Sequence, residues 1–288
     1  MEIANQCVIC KGKEIKRKRA TVVPFLTNRI FGRNSFRTSL IYCKTCGFQF
    51  YAVRFNENEL VRLYNNYRDD EYIRQRNKYE PWYTRRLNDG LFARTETLLN
   101  RKKSLLELTE NYCLGFSDQI GTVLDFGGDK GQLLDGVFNQ SKKFVYEISN
   151  VELLPGINRA FFPSPDTFDF IICSNVLEHV SYPAETIKMI WDMAHENSIV
   201  YLEVPFEQPY SVSTIVKRIV QQSMLLIFRP LQFIETFGLG MLTHMHEHVN
   251  YFSVKSLQIL IENAGFKNVD ISVRSICNSR YFCCFAKK

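Results

Sequence analysis

Val123-Leu-Asp-Phe-Gly-Gly-Asp-Lys-Gly-Gln-Leu-Leu134 joins an apolar run to three glycines and then returns to apolar residues. The run 122–126 predicts a strand. Gly127, Gly128 and Gly131 predict a tight turn into a helix, because a residue without Cβ lets a ligand approach the backbone closely. Such a turn alone is shared by nucleotide-binding sheets of many kinds. Its surroundings narrow the reading. A second run, 143–148, ends with Glu147 about twenty residues past the turn, where an acidic side chain accepts hydrogen bonds from both ribose hydroxyls. A third reads Phe168-Asp-Phe-Ile-Ile-Cys-Ser-Asn-Val-Leu-Glu-His179.

Working outward, further short apolar runs at 198–204, 269–273 and 281–286 predict strands. Helical periodicity follows Pro183 (Ile187, Ile190, Trp191, Ala194). It recurs after Ser253 (Leu257, Leu260, Ile261, Ala264), with Ser253 as N-cap and Gly265 as terminator. Strands alternating with helices predict an α/β fold with a parallel sheet covered on both faces. Residues 57–115 read as polar helices bearing Tyr64, Tyr67, Tyr72, Tyr79, Tyr83 and Trp82, which anchor a helical lid or offer a stacking wall to a sugar.

These segments resemble the class I S-adenosylmethionine (SAM) dependent methyltransferases of the methyltransferase-23 type. That family has an acidic-x-Gly-x-Gly-x-Gly turn, an acidic end to strand two and a Phe-Asp…Asn-Val-Leu-Glu-His signature after strand four. The similarity runs from about 121 to 286, with Asp129 in the middle glycine position. It implies a Rossmann-like sheet binding SAM. Asp125, Gly127, Gly128 and Gly131 would border the methionine end, Glu147 the ribose and Asn175 the sulfonium. A nicotinamide-dependent enzyme on a similar sheet is the competing reading.

The N-terminal segment carries a second constellation. Cys7-Val-Ile-Cys10 and Cys43-Lys-Thr-Cys46 are two CxxC knuckles, followed closely by Gly12 and Gly47. Each aims two thiolates at one point, so the pair predicts a tetrahedral structural zinc site with no open position. Cys113, Cys173, Cys277, Cys283 and Cys284 have no ligand spacing and read as buried thiols. The expected organisation is a zinc-binding ribbon over 1–56, a helical linker or lid over 57–115 and a SAM-binding domain over 116–288, with an insertion at about 211–243.

Three of the five histidines lie in Thr243-His-Met-His-Glu-His-Val-Asn-Tyr-Phe252. A zinc ribbon before this type of domain resembles the sugar C-methyltransferases and related glycan-modifying enzymes, which have a similar His-Glu-His…Tyr-Phe stretch. The resemblance implies His248 as general base, Glu247 as its neighbour and His179 as a further active-site histidine. Met245 stands where those enzymes have tyrosine, and their added C-terminal domain is not expected in this chain. A histidine titrating near neutrality suits proton removal beside a methyl donor. Alternate histidines along a strand could instead bind a metal, and His179 and His248 could be structural. His195 reads as a solvent-facing helix residue.

Bulk composition limits the partners. A net charge of +6 among 288 residues is mild, and much of it sits in 11–19. This makes nucleic acid an unlikely partner, although RNA methylation through the basic run stays the alternative function. A degenerate, non-catalytic scaffold is a third reading, supported by Asp129. No signal peptide is expected from Met-Glu-Ile-Ala-Asn-Gln-Cys, and no uncharged run is long enough to span a bilayer, so a cytoplasmic location is expected. The stretch at 211–243 is apolar with helical period but contains Lys217, Arg218, Arg229 and Glu235. It reads as a lid or oligomer contact, or as an interfacial segment touching a membrane surface. The expected acceptor is a small molecule or sugar-containing precursor.

Overall fold

The computed structural model describes residues 2–32, 36–86, 95–113, 120–209, 212–237, 243–276 and 279–288. The strands are β1 (Glu2–Ile3), β2 (Ile15–Val22), β3 (Arg37–Cys43), β4 (Gln49–Tyr51), β5 (Val53–Arg54), β6 (Thr122–Phe126), β7 (Lys142–Tyr146), β8 (Ile157–Arg159), β9 (Phe168–Ser174), β10 (Ala194–Pro205), β11 (His244–Met245), β12 (Asn250–Tyr251), β13 (Lys267–Ile276) and β14 (Ser279–Lys287). The helices are α1 (Pro24–Phe31), α2 (Glu57–Tyr64), α3 (Asp70–Tyr79), α4 (Thr95–Cys113), α5 (Pro183–Asp192), α6 (Val212–Phe228), α7 (Pro230–Phe237) and α8 (Val254–Asn263).

The larger sheet has seven strands in the order β13-β14-β10-β9-β6-β7-β8. Strands β8, β7, β6, β9 and β10 run parallel, while β14 is antiparallel to both β10 and β13. The expected sheet is therefore parallel-rich rather than wholly parallel. Only residues 277–278 link β13 to β14, too few for a parallel crossover. Strand β8 escapes a sequence reading because Ile157-Asn-Arg159 is short and carries no apolar run. The order reverses between β6 and β9, and the crevice beyond their carboxyl ends is where open α/β sheets bind ligands.

The glycine turn departs from expectation. Residues 129–138 form successive turns and no α-helix. Gly131, Gly136 and Phe138 adopt left-handed φ of 85°, 72° and 50°, which interrupts any right-handed helix. Pro183 does open α5 and Ser253 does cap α8, through a capping box with Ser256. Gly265 ends α8 at φ 107°, and a Cβ there would lie 2.9 Å from the Trp191 ring. His195 lies in β10, past the end of α5, and its Nε2 meets Asp169 Oδ1 at 2.9 Å. It is a partnered strand residue rather than a helical, solvent-facing one.

The second sheet has five strands in the order β11-β2-β3-β4-β12. Three strands come from the N-terminal segment and two from the histidine-rich stretch, so residues two hundred positions apart share one ladder. Its core gathers Phe25, Leu26, Leu40, Tyr51, Leu63, Tyr72 and Met245. The cysteine knuckles instead share a core with the larger sheet, where Phe48 lies 5.1 Å from Phe252. The two sheets thus pack through the ends of the cysteine segment and of α8.

Candidate active site

At the end of β6 the turn closes tightly. Gly127 adopts φ 76°, and a Cβ on it would lie 2.5 Å from Val176 Cγ2. A Cβ on Gly128 would lie 2.6 Å from the Asp125 carboxylate, and one on Gly131 would overlap Ile157. Asp129, in the middle glycine position, takes φ 52°, a left-handed conformation that Asp tolerates better than most residues. The departure from glycine therefore preserves the turn. Asp129 N–H donates to Glu147 Oε2 at 3.1 Å, and Ser149 N–H donates to Glu147 Oε1 at 2.8 Å. Glu147 is thus aimed at the glycine turn and tied to the main chain on both oxygens. Burial pushes the Asp125 carboxyl up to about 7, with the nearby charge of Arg101 opposing the rise.

Asn175 follows β9 with φ 56°, and its N–H donates to the Glu203 carbonyl at 2.9 Å. Beneath it lies a network that sequence reasoning missed. Arg101, from α4, donates to Ser174 Oγ at 2.6 Å and to Glu203 Oε1 at 2.8 Å. Ser174 donates to the same Glu203 oxygen at 2.7 Å. The Arg101 Nε atom is buried without a hydrogen-bond partner among the described residues. No spacing rule links residue 101 to residue 203, so only the fold reveals this group.

The two histidines come together: the rings of His179 and His248 stand 4.7 Å apart, edge to face. Their environments push them in opposite directions. Burial, reinforced by the charge on His248, lowers His179 to about 3 and keeps it neutral. Burial alone would lower His248 too, but its bond to Glu207 and the charges of Glu207, Glu178 and Glu247 reverse this and raise it to about 9. His248 Nδ1 lies 2.8 Å from Glu207 Oε2. His179 Nδ1 lies 3.2 Å from both the Tyr64 hydroxyl and the Glu247 carbonyl oxygen.

The Glu247 carboxylate points elsewhere. It accepts from the Tyr72 hydroxyl and, at 2.7 Å, from Arg76. Arg76 also pairs with Glu80 at 2.7 Å, and Glu80 Oε1 meets His246 Nδ1 at 3.0 Å. Burial opposes ionisation of Glu80, yet Arg76 and His246 hold it down to about 2. The carboxylate beside His248 is therefore Glu207, not its sequence neighbour. His244, His246 and His248 do not form a shared ligand group among the described residues. Glu178, His179 and His248 do bring donor atoms within 4.8 Å of one another.

Both halves open into one cleft of about 1990 Å³. Gly127, Asp129, Glu147 and Asn175 line it, and so do His179 and His248. Of the candidate tyrosines, Tyr72 is core, whereas Tyr64, Tyr67 and Tyr83 reach the cleft with Trp82.

The cysteine cluster lies apart from this cleft. Cys7 and Cys46 sulfurs are 3.6 Å apart, as are those of Cys10 and Cys43, and all four lie within 4.8 Å of one another. Four tetrahedral thiolates about 2.3 Å from one ion require such a span. Gly47 takes φ 75° after the second knuckle; after the first, Lys11 rather than Gly12 is left-handed, at φ 58°. Gly12 is needed for space, since its Cβ would lie 2.8 Å from Thr45 Oγ1. Cys173, Cys283 and Cys284 are buried and free; the Cys113 side chain and Cys277 lie outside the described residues.

Residues 83–271 match the family described as Methyltransferase domain. That span is well over half of the chain, and the chain belongs to this family of methyltransferase domains. The 1,6-didemethyltoxoflavin-N1-methyltransferase of Burkholderia thailandensis, solved with its substrate and S-adenosylhomocysteine (SAH), shares the fold at a TM-score of 0.50 and 11% identity, over 87% of this chain and 95% of that one. Human N-acetylserotonin methyltransferase, solved with SAM, aligns at 0.44 and 13% identity, over 80% of this chain but only 58% of that one. Magnesium protoporphyrin IX methyltransferase of Synechocystis aligns at 0.44 and 14%, over 68% of this chain and 87% of that one. No curated protein matches by sequence.

Proposed function

We propose that the enzyme methylates a hydroxyl or an acidic carbon of a small, sugar-related acceptor, with His248 as general base. The observation that carries this is the single cleft in which the glycine turn and Glu147 face the His179–His248 pair. SAM supplies an already activated methyl group, so the protein has only to align the acceptor and remove a proton. Asp125, Gly127, Gly128 and Gly131 would border its methionine end, Glu147 its ribose and Asn175 its sulfonium. The glycine positions leave no space for a Cβ, and Glu147 keeps lone pairs beyond its two main-chain bonds.

Glu207 accepts a hydrogen bond from Nδ1–H of His248, leaving Nε2 to receive the acceptor's proton. A pKa of about 9 makes His248 a strong base once deprotonated. His179, held neutral, lines the same space and is fixed by the Glu247 carbonyl, so Glu247 assists by position. Tyr64, Tyr67 and Trp82 offer ring faces to a sugar. Cys7, Cys10, Cys43 and Cys46 would hold a structural zinc with no open position. The free buried thiols suit a reducing cytoplasm, and no helix among the described residues is long and apolar enough to cross a membrane.

The RNA reading draws on β2, whose Lys16, Arg17, Lys18 and Arg19 are all exposed; binding to RNA that falls steeply with salt would favour it. The test of the main reading is acceptor-dependent release of SAH across a panel of sugar acceptors. His248→Gln should lose transfer while still binding SAH. Full transfer by that variant would remove the base role.

A further inference from the structure

His179 and His248 sit on separate stretches of chain, and a buried polar clamp joins those stretches. Asn250 is its centre. The Asn250 Nδ2 atom donates to the Leu177 and Val180 carbonyls at 2.8 and 2.6 Å. The main-chain N–H groups of Val249 and Asn250 donate to the Glu178 carbonyl at 2.8 and 3.1 Å. The Asn250 amide oxygen accepts from Arg54 Nη1 at 2.8 Å. The same Arg54 nitrogen donates to the Ser181 carbonyl at 2.9 Å, and Arg54 Nη2 donates to the Tyr51 carbonyl. Phe55 N–H adds a bond to Ser181 Oγ at 2.7 Å. With carbonyls on one side and a guanidinium on the other, the Asn250 amide has one favourable orientation. The network therefore fixes the loop 177–181 against 248–250.

Arg54 is costly for the fold. It is buried against the Phe50 ring, and its Nε has no hydrogen-bond partner among the described residues. Its bonds there run to two carbonyls and an amide oxygen, none to a carboxylate. Burial pushes its guanidinium down to about 9. A buried cation without an anionic partner adds little net stability, and an apolar side chain of similar length is often tolerated in its place. What Arg54 does supply is a rigid planar fork that reaches three separate stretches of chain at once. We propose that Arg54, from the cysteine-bearing N-terminal segment, is a positioning residue for the His179–His248 pair: with Asn250 it clamps the loop that carries His179 to the stretch that carries His248, and so sets the spacing of the two rings. This rests on the reading of His248 as general base. His248 is surrounded by Glu207, Glu178, Glu247 and His179. Glu207 follows β10, outside the clamp, so a slackened clamp moves His248 relative to the carboxylate that its Nδ1 meets.

The test is NMR of the full chain labelled in its histidine rings, comparing the wild type with Arg54→Met and Asn250→Ala. His248→Gln assigns the His248 signals. The wild type should show a cross-peak between the His179 and His248 ring protons. Both variants should keep a cooperative thermal transition and lose that cross-peak. Their His248 titration should fall by about one pH unit, toward the ordinary histidine range, as the ring leaves its carboxylates. A cross-peak or a titration unchanged in a folded variant would overturn the proposal, as would a wild type without the cross-peak. So would loss of the cooperative transition in both variants, because Arg54 and Asn250 would then hold the fold rather than the pair. Full transfer by His248→Gln would instead remove the base reading and leave the clamp seen in these spectra intact, so the two failures are distinct.

Discussion

The two parts of the cleft, the proposed cofactor side and the proposed acceptor side, are built on different principles. The cofactor side is main-chain geometry: a turn with left-handed residues at Gly127, Asp129 and Gly131, and a carboxylate tied to two backbone N–H groups. The acceptor side is charge balance: His248 on Glu207, His246 on Glu80, and Arg76 shared by Glu80 and Glu247. The first should fail when volume or a ligand contact changes. The second should fail when a charge or the pH changes. The cysteine cluster stands outside both, in the core it shares with the larger sheet.

The largest effect should come from the cysteine cluster. Structural zinc binding is worth about 10–16 kcal/mol in small domains. Cys43→Ser should therefore lose the bound zinc, read by metal analysis, and the cooperative thermal transition of the five-stranded half. Next comes the buried ion pair. Glu80→Gln leaves Arg76 and His246 short of a partner and should destabilise the fold by about 3 kcal/mol, read by denaturant unfolding. SAH affinity should not change. The Glu80 carboxyl is depressed to about 2, so its contribution is complete above the ordinary value near 4.5 and is lost as pH falls toward 2. Acid should loosen the acceptor side.

On the proposed cofactor side, Glu147→Ala removes the carboxylate that would accept from both ribose hydroxyls. The Kd for SAH should rise about 100-fold, with a loss of about 1–3 kcal/mol of unliganded stability because Asp129 N–H and Ser149 N–H lose their acceptor. The smallest effect is the most specific. As the proposed base His248 would act unprotonated, and it is raised to about 9, so transfer should climb about tenfold per pH unit until that region. Glu207→Gln removes the leading charge that raises it, and the limb should move down toward the ordinary histidine range. A profile that ignores Glu207 would break the contrast between the two sides. Dialysis against a chelator sharpens it further: transfer that survives with the cysteine zinc retained keeps proton removal as the role of the pair, whereas loss would move Glu178, His179 and His248 to cation binding.

The contrast also explains what the sequence disclosed. Asp125, the glycines, Glu147 and Asn175 fall within about fifty consecutive residues, and strand alternation with turn chemistry makes such local motifs legible. The two CxxC knuckles were legible for the same reason. The acceptor side joins residues 64–80, 179, 207 and 246–248, whose proximity depends on β11 and β12 completing the N-terminal sheet. A two-residue strand has no periodicity to read. Glu247 stood beside His248 in sequence, but both lie in the loop between β11 and β12, where the Glu247 carboxylate turns to Tyr72 and Arg76 and the carboxylate that reaches the ring comes from Glu207. The helix expected after the glycine turn was overruled by left-handed Gly136 and Phe138, and glycine content alone does not reveal that.

The most direct test of the account is calorimetric titration of the zinc-loaded protein with SAH, beside Glu147→Ala. The account predicts one site of micromolar affinity in the wild type and about 100-fold weaker binding in the variant. No binding by the intact, folded protein would contradict it, because the glycine turn and Glu147 would then form a cofactor crevice in shape alone.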